Sequence, residues 1–164
     1  MITITLNRDD ERRAADFGYR RTTENDLKVD QSIQKVNFHE SIARDSEGVG
    51  AEMALAKYIG KTDFEPTVNT FKDVPDIDWN GLPIEVKWTK WKDGHLIIKD
   101  SDRNTDIAIL ITGQSPEYYI IGWIPVAIAK KERFKHKDGS WWVSQINLSP
   151  IENLQRSHHA NAHI

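Results

Sequence analysis

Pro75-Asp76-Ile77-Asp78-Trp79-Asn80-Gly81-Leu82-Pro83-Ile84-Glu85-Val86-Lys87 alternates apolar and polar residues on either side of an Asn-Gly pair. Asn-Gly tolerates the positive φ of a two-residue hairpin turn, so the stretch predicts two antiparallel strands. In that register Trp79 faces Leu82, Asp78 faces Pro83, Ile77 faces Ile84, and Asp76 stands opposite Glu85. Side chains alternate along a strand, so Asp76, Asp78, Glu85 and Lys87 share one face. Ile77, Trp79, Leu82, Ile84, Val86 and Trp88 share the other, which can pack on a core. The polar face reads in two ways. It is the solvated side of an ordinary antiparallel sheet, or facing carboxylates whose repulsion a hard divalent cation offsets.

Outward from the hairpin, residues 64–72, 95–99, 106–112, 118–124 and 141–143 are strand-like by β-branched and aromatic content. A helix is expected over 45–60, with Asp45 and Ser46 as N-cap candidates and Gly60 as its end. On its wheel Val49, Met53, Leu55, Ala56 and Ile59 form an apolar stripe, with Glu52 inside it and Glu47 on the opposite, surface side. A carboxylate on a core-facing stripe needs a partner, either a buried arginine or backbone amide or a metal. A first helix is expected from Asp9-Asp10 to Phe17, ended by Gly18, and another over 126–133. Residues 2–6 read as a short strand, and 19–45 are polar with weak periodicity at Ile33, Val36 and Ile42.

Pro75-Asp76, eight residues, then Glu85-Val86-Lys87 resembles the signature of the PD-(D/E)xK nuclease superfamily, the restriction-endonuclease-like fold. The segment 47–60 is similar to the glutamate-bearing first core helix of such nucleases. The runs beginning at Gly94, Ile107 and Tyr118 resemble the remaining strands of a small branch common in phage and prophage proteins. The resemblance spans about residues 10–145. It implies an α+β (α/β) fold, with a mixed sheet and flanking helices, and metal-dependent hydrolysis of phosphodiester bonds, most readily in DNA. Asp76 and Glu85 would hold Mg²⁺ or Mn²⁺, with Glu52 as an accessory ligand. Lys87 would orient or deprotonate the nucleophile, or stabilise phosphoryl charge. Asp78 is the rival first ligand, but it faces Pro83 near the turn, further from Lys87. One departure is plain: only residues 113–117 separate the third and fourth strands, where the family's core places a helix. The last strands are therefore expected to be antiparallel. A nuclease-fold binding or structural module that does not cut, and a small β-rich ligand-binding domain using exposed tryptophans, are the alternatives.

Composition narrows the classes. With 164 residues, 38% hydrophobic, the chain is long enough for one domain with a real core, placed at 1–150, before a polar, mobile tail at 151–164. The absence of cysteine excludes disulfides and Cys-ligated zinc and suits a reducing, cytoplasmic setting; a viral origin is what the resemblance implies as an option. Neither a signal peptide nor a membrane span is expected. The net charge of −3 gives no overall basic footprint. Local candidates for nucleic-acid contact are Lys99 and Arg103 around a loop, and Lys130, Lys131 and Arg133 in a basic run reaching Lys137, followed by Trp141 and Trp142. The run reads more simply as a solvated helix end plus loop whose tryptophans are core. His158, His159 and His163 lie in the tail and form no ligand set. A homodimer would serve double-strand cutting.

Overall fold

In a computed structural model of the chain, residues 1–26, 36–68 and 74–156 are described. Their centre is β5 (Ile107–Gln114), whose run from Ile107 to Thr112 is buried without interruption. Such a continuous apolar strand needs cover on both faces, and it has it. The sheet runs in the order β1 (Ile2–Thr5), β6 (Glu117–Pro125), β5, β3 (Leu82–Thr89), β2 (Ile77–Trp79). β3 and β5 are parallel, whereas β5–β6, β1–β6 and β2–β3 are antiparallel. The fold is α+β with a mixed sheet, and its last two long strands are antiparallel, as the short 113–117 connection requires.

Alternation assigns the two faces of the sheet. Ile84 on β3 and Ile107, Ile109 and Ile111 on β5 face a core closed by α1 (Arg8–Asp26) and α2 (Phe38–Tyr58). Ala108 and Leu110 face a second core, closed by a two-stranded sheet of β4 (Leu96–Ile98) and β7 (Trp141–Val143), and by α3 (Val126–Ala129). Glu85 and Lys87 pair with Ala108 and Leu110 in the parallel ladder, so they lie towards this second layer. Among the described residues no helix is long and apolar enough to cross a membrane.

Both long helices exceed their expected lengths. Asn7 and Asp10 cap α1 reciprocally: the Asp10 N–H donates to Asn7 Oδ1 at 2.8 Å and the Asn7 N–H to Asp10 Oδ2 at 3.2 Å. Gly18 does not end the helix. It is buried where α1 crosses α2, and a Cβ there would collide with the backbone and hydroxyl of Ser46. α2 starts at Asn37, whose Oδ1 accepts from the Glu40 N–H at 2.9 Å, not at Asp45-Ser46. It ends as expected near Gly60, which takes φ 76°.

Other expectations also need correction. Residues 64–68 form no strand, and 69–73 lie outside the described residues. The 126–133 helix is α3 followed by a separate 3₁₀ turn, Glu132–Phe134. The supposed tail begins with a 3₁₀ segment, Ile151–Arg156, whose Ile151 and Leu154 are fully buried in the first core. Residues 157–164, with the three tail histidines, lie outside the described residues.

Candidate active site

The hairpin forms in the expected register, Ile77↔Ile84, Asp78↔Pro83 and Trp79↔Leu82. Asn80 (φ 53°) and Gly81 (φ 89°) both take the left-handed conformation of a type I′ turn. Pro83 lies just ahead of the parallel ladder to β5, which opens at Ile84, so its missing N–H costs no bond there. Asp78 is spent on the turn: its Oδ1 accepts from the Gly81 N–H at 2.6 Å. Asp76 sits where β2 leaves the sheet. The Val86 N–H donates to Asp76 Oδ2 at 2.8 Å, so a side chain, not a strand, closes this point of β3's edge. That bond brings the first acid to the Glu85–Val86 backbone.

Lys87 is held on the same strand. Its Nζ lies 2.8 Å from Asp102 Oδ1 and 3.5 Å from Glu85 Oε1, with all three side chains largely shielded from solvent. Asp102 is itself fixed by its loop, since Oδ2 accepts from the Lys99 N–H at 2.7 Å. Its main-chain carbonyl also accepts from Lys130 Nζ at 2.7 Å.

From the helical side, α2 contributes Glu52, 5% exposed. Both Glu52 oxygens accept from Arg21 in a fork, Nη1 to Oε1 at 3.0 Å and Nη2 to Oε2 at 2.9 Å. Arg21 Nε donates to the Thr67 carbonyl at 2.7 Å. Burial works against the Arg21 charge, but Glu52, with Asp76 and Asp45 behind it, outweighs that cost and holds the guanidinium above its ordinary value. One cavity of about 380 Å³ is lined by Arg21, Arg44, Asp45, Glu52, Asp76 and Glu85 with their neighbours. The structure therefore brings Asp76, Glu85 and Glu52 to one pocket and joins Lys87 to it through Glu85. Sequence reasoning missed Arg21, Arg44, Asp45 and Asp102. The first three lie in the polar stretch 19–45, where no element had been assigned beyond the capping role given to Asp45.

The donor chemistry of this pocket is oxygen only, which suits a hard cation. Among the described residues, however, no three His, Cys, Asp or Glu side chains are gathered closely enough to hold a metal. Mg²⁺ commonly keeps several waters and takes only one or two carboxylates, so Asp76 and Glu85, both on the lining of this pocket, are the candidate pair. Glu52 would have to exchange Arg21 for the ion.

The remaining candidates divide. Arg103 forks onto Asp106, 2% exposed, at 2.9 and 3.1 Å and thereby braces the entry to β5. Lys130 Nζ donates to the carbonyls of Asp100 and Asp102 and so serves the loop that holds Lys87, whereas Lys99 does so through its main-chain N–H alone and its side chain is exposed. Lys131 and Arg133 are exposed, with Arg133 over the Phe134 ring at 4.5 Å. Glu47, expected on the surface side, is half-buried. It accepts from the Ser115 N–H at 3.0 Å and from the Tyr118 hydroxyl at 2.7 Å, tying α2 to the β5–β6 turn. Burial, reinforced by Glu47, pushes the Tyr118 hydroxyl well above its ordinary value. No protein-family model matches the chain, and neither a curated protein nor a solved structure matches it.

Proposed function

We propose that the chain is a metal-dependent nuclease of the PD-(D/E)xK kind, hydrolysing phosphodiester bonds in nucleic acid, with DNA as the first substrate to test. The observation that carries this reading is the bond from the Val86 N–H to Asp76 Oδ2, which sets Asp76 against Glu85 with Lys87 one strand period on. Asp76 and Glu85 would hold Mg²⁺ or Mn²⁺, which when bound supplies Lewis-acid polarisation of a phosphoryl oxygen and a more acidic water. Lys87, fixed by Asp102 and Glu85, offers a positive charge to the transferring phosphoryl group without reorganisation. Arg44, on the rim of the same pocket, is placed to meet a flanking phosphate.

A second reading, a nuclease fold that binds without cutting, is favoured by one observation: the Arg21 fork already neutralises Glu52. The two readings part in one experiment. Plasmid and single-stranded DNA are incubated with Mg²⁺, with Mn²⁺ and with chelator, beside Glu85→Ala, Lys87→Ala and Asp78→Asn. Catalysis predicts metal-dependent cutting that falls at least about 100-fold in the first two variants and persists in the third, since Asp78 serves the turn. Equal, metal-independent nicking by all four proteins would falsify the catalytic reading. No cutting, together with no thermal shift on adding metal, would favour the second.

A further inference from the structure

Beyond the acids, β3 runs into the tight turn at residues 90–95 that leads to β4. At its tip Trp91 is 66% exposed. An indole on a loose loop would mean little, but this turn is pinned. The Gly94 N–H donates to the Trp91 carbonyl at 3.0 Å. Gln145 Nε2 donates to the carbonyls of Lys92 at 2.8 Å and Gly94 at 3.0 Å. Gly94 packs so closely on Thr89 that a side chain there would collide with it. Trp91 is displayed on a rigid support.

A second aromatic wall faces the same space. Trp142 pairs with Ile97 across β4–β7, so it points away from the core that its neighbours Trp141 and Val143 enter. Its ring stacks on His136 (centroids 4.1 Å apart, 11° between planes), has His95 at 5.6 Å, and donates Nε1–H to Ser140 Oγ at 2.9 Å. These walls line a groove of about 810 Å³ that is also bordered by Trp88, Lys92 and Lys87. Lys90 Nζ lies 4.8 Å from the Trp91 ring centroid. Asp93 is the one carboxylate among the described lining residues.

We propose that this groove takes the unpaired bases of a single-stranded nucleic acid, Trp91 and Trp142 acting as stacking platforms while Lys87 and Lys92 meet the backbone. The inference rests on the nuclease reading for its direction, because Lys87 belongs to both sites and a strand lying in the groove runs its phosphates towards Glu85. Planar rings among cations suit a ligand that is aromatic and anionic at once. Stacking on the face of a base requires that base to be unpaired, which selects single strands, loops and flaps over intact duplex. A saccharide would satisfy the rings but not the lysines. An acidic peptide would satisfy the lysines but leave the rings exposed.

The test is fluorescence anisotropy of a labelled oligo-dT of about 12 nucleotides, a length within the range that single-strand sites occupy, in chelator so that nothing is cut. Trp91→Ala and Trp142→Ala should each weaken binding about 5- to 150-fold. Trp91→Phe should restore most of the loss, and Ile146→Ala, an exposed apolar position outside the groove lining, should leave affinity unchanged. Circular dichroism confirms that each variant is folded, and Trp91, being exposed, keeps the test open if Trp142→Ala fails to fold. The proposal is overturned if a blunt-ended, fully paired duplex binds as tightly as the single strand, if folded Trp91→Ala binds like the parent, or if polyglutamate displaces the oligonucleotide as well as oligo-dT does. Oligonucleotide binding without metal-dependent cutting would remove the nuclease reading and keep the groove. Cutting without a stacking dependence would do the reverse.

Discussion

At the level of single residues, Glu52 shows how far a helical wheel reaches. Its place in an apolar stripe was legible, and so was its need for a partner. Which partner it has was not, because Arg21 lies 31 residues away on a helix that the sequence appears to end at Gly18. The side chains of this ion pair are 11% and 7% exposed. Removing one member of such a pair strands the other charge, at a cost of about 3–5 kcal/mol. Arg21→Met should therefore lower unfolding stability by that amount in urea titration. Arg21→Met combined with Glu52→Leu should recover most of it, because the desolvation cost leaves with both charges. A single-variant loss below about 1 kcal/mol would mean that water screens the pair as it does on a surface. Asp76 and Asp78 make the complementary case. Pairing register alone ranked them, and the hydrogen bonds from Val86 and Gly81 supply the physical reason.

At the level of elements, the hairpin was legible because its signals are local: an Asn-Gly turn, strict alternation, and a proline outside the ladder. The two helices were legible only in part. A glycine after a short periodic run reads as a stop, yet Gly18 continues α1 because a neighbouring helix needs the space its absent Cβ leaves. Two magnitudes compete at that position. Helix propensity alone makes Gly→Ala favourable by about 1 kcal/mol. Forcing a methyl against the Ser46 backbone costs about 1–3 kcal/mol in strain and displaced packing, and α1 and α2 form the most extensive inter-helix contact of the fold. The collision should win, so Gly18→Ala should lower the urea midpoint. A rise would show that α1 can slide on α2 without cost, which would also loosen the placement of Arg21 over Glu52.

At the level of the whole molecule, the sheet carries a different layer on each face, and the candidate site lies at the open edge between them, where β2 departs from β3. The layer formed by α1 and α2 supplies Arg21, Asp45 and Glu52. The face towards the β4–β7 layer carries Glu85 and Lys87, and that layer frames the aromatic groove. The basic run at 130–137 divides between structural and exposed roles. Lys130 is spent on the Asp102 loop and Lys135 lies over the Trp141 ring, whereas Lys131 and Arg133 stay exposed, and Trp142 turns outward by the alternation along β7, a strand the sequence did show. Non-local packing also overturns the reading of the segment 151–156 as tail: Ile151 and Leu154 are two apolar residues in a polar context, and only their contact with β6 and the first core reveals their role. As tail residues, either could be truncated with a change within about 0.5 kcal/mol. As core residues they cannot: Leu154 is fully buried, and Leu154→Ala should cost about 2–5 kcal/mol by lost transfer energy plus the cavity left behind. Chemical denaturation of Leu154→Ala beside Glu152→Ala, an exposed neighbour on the same 3₁₀ segment, separates the two. Equal midpoints for both variants would return this segment to the tail, and a large drop confined to Leu154→Ala would fix it as the closing piece of the helical core.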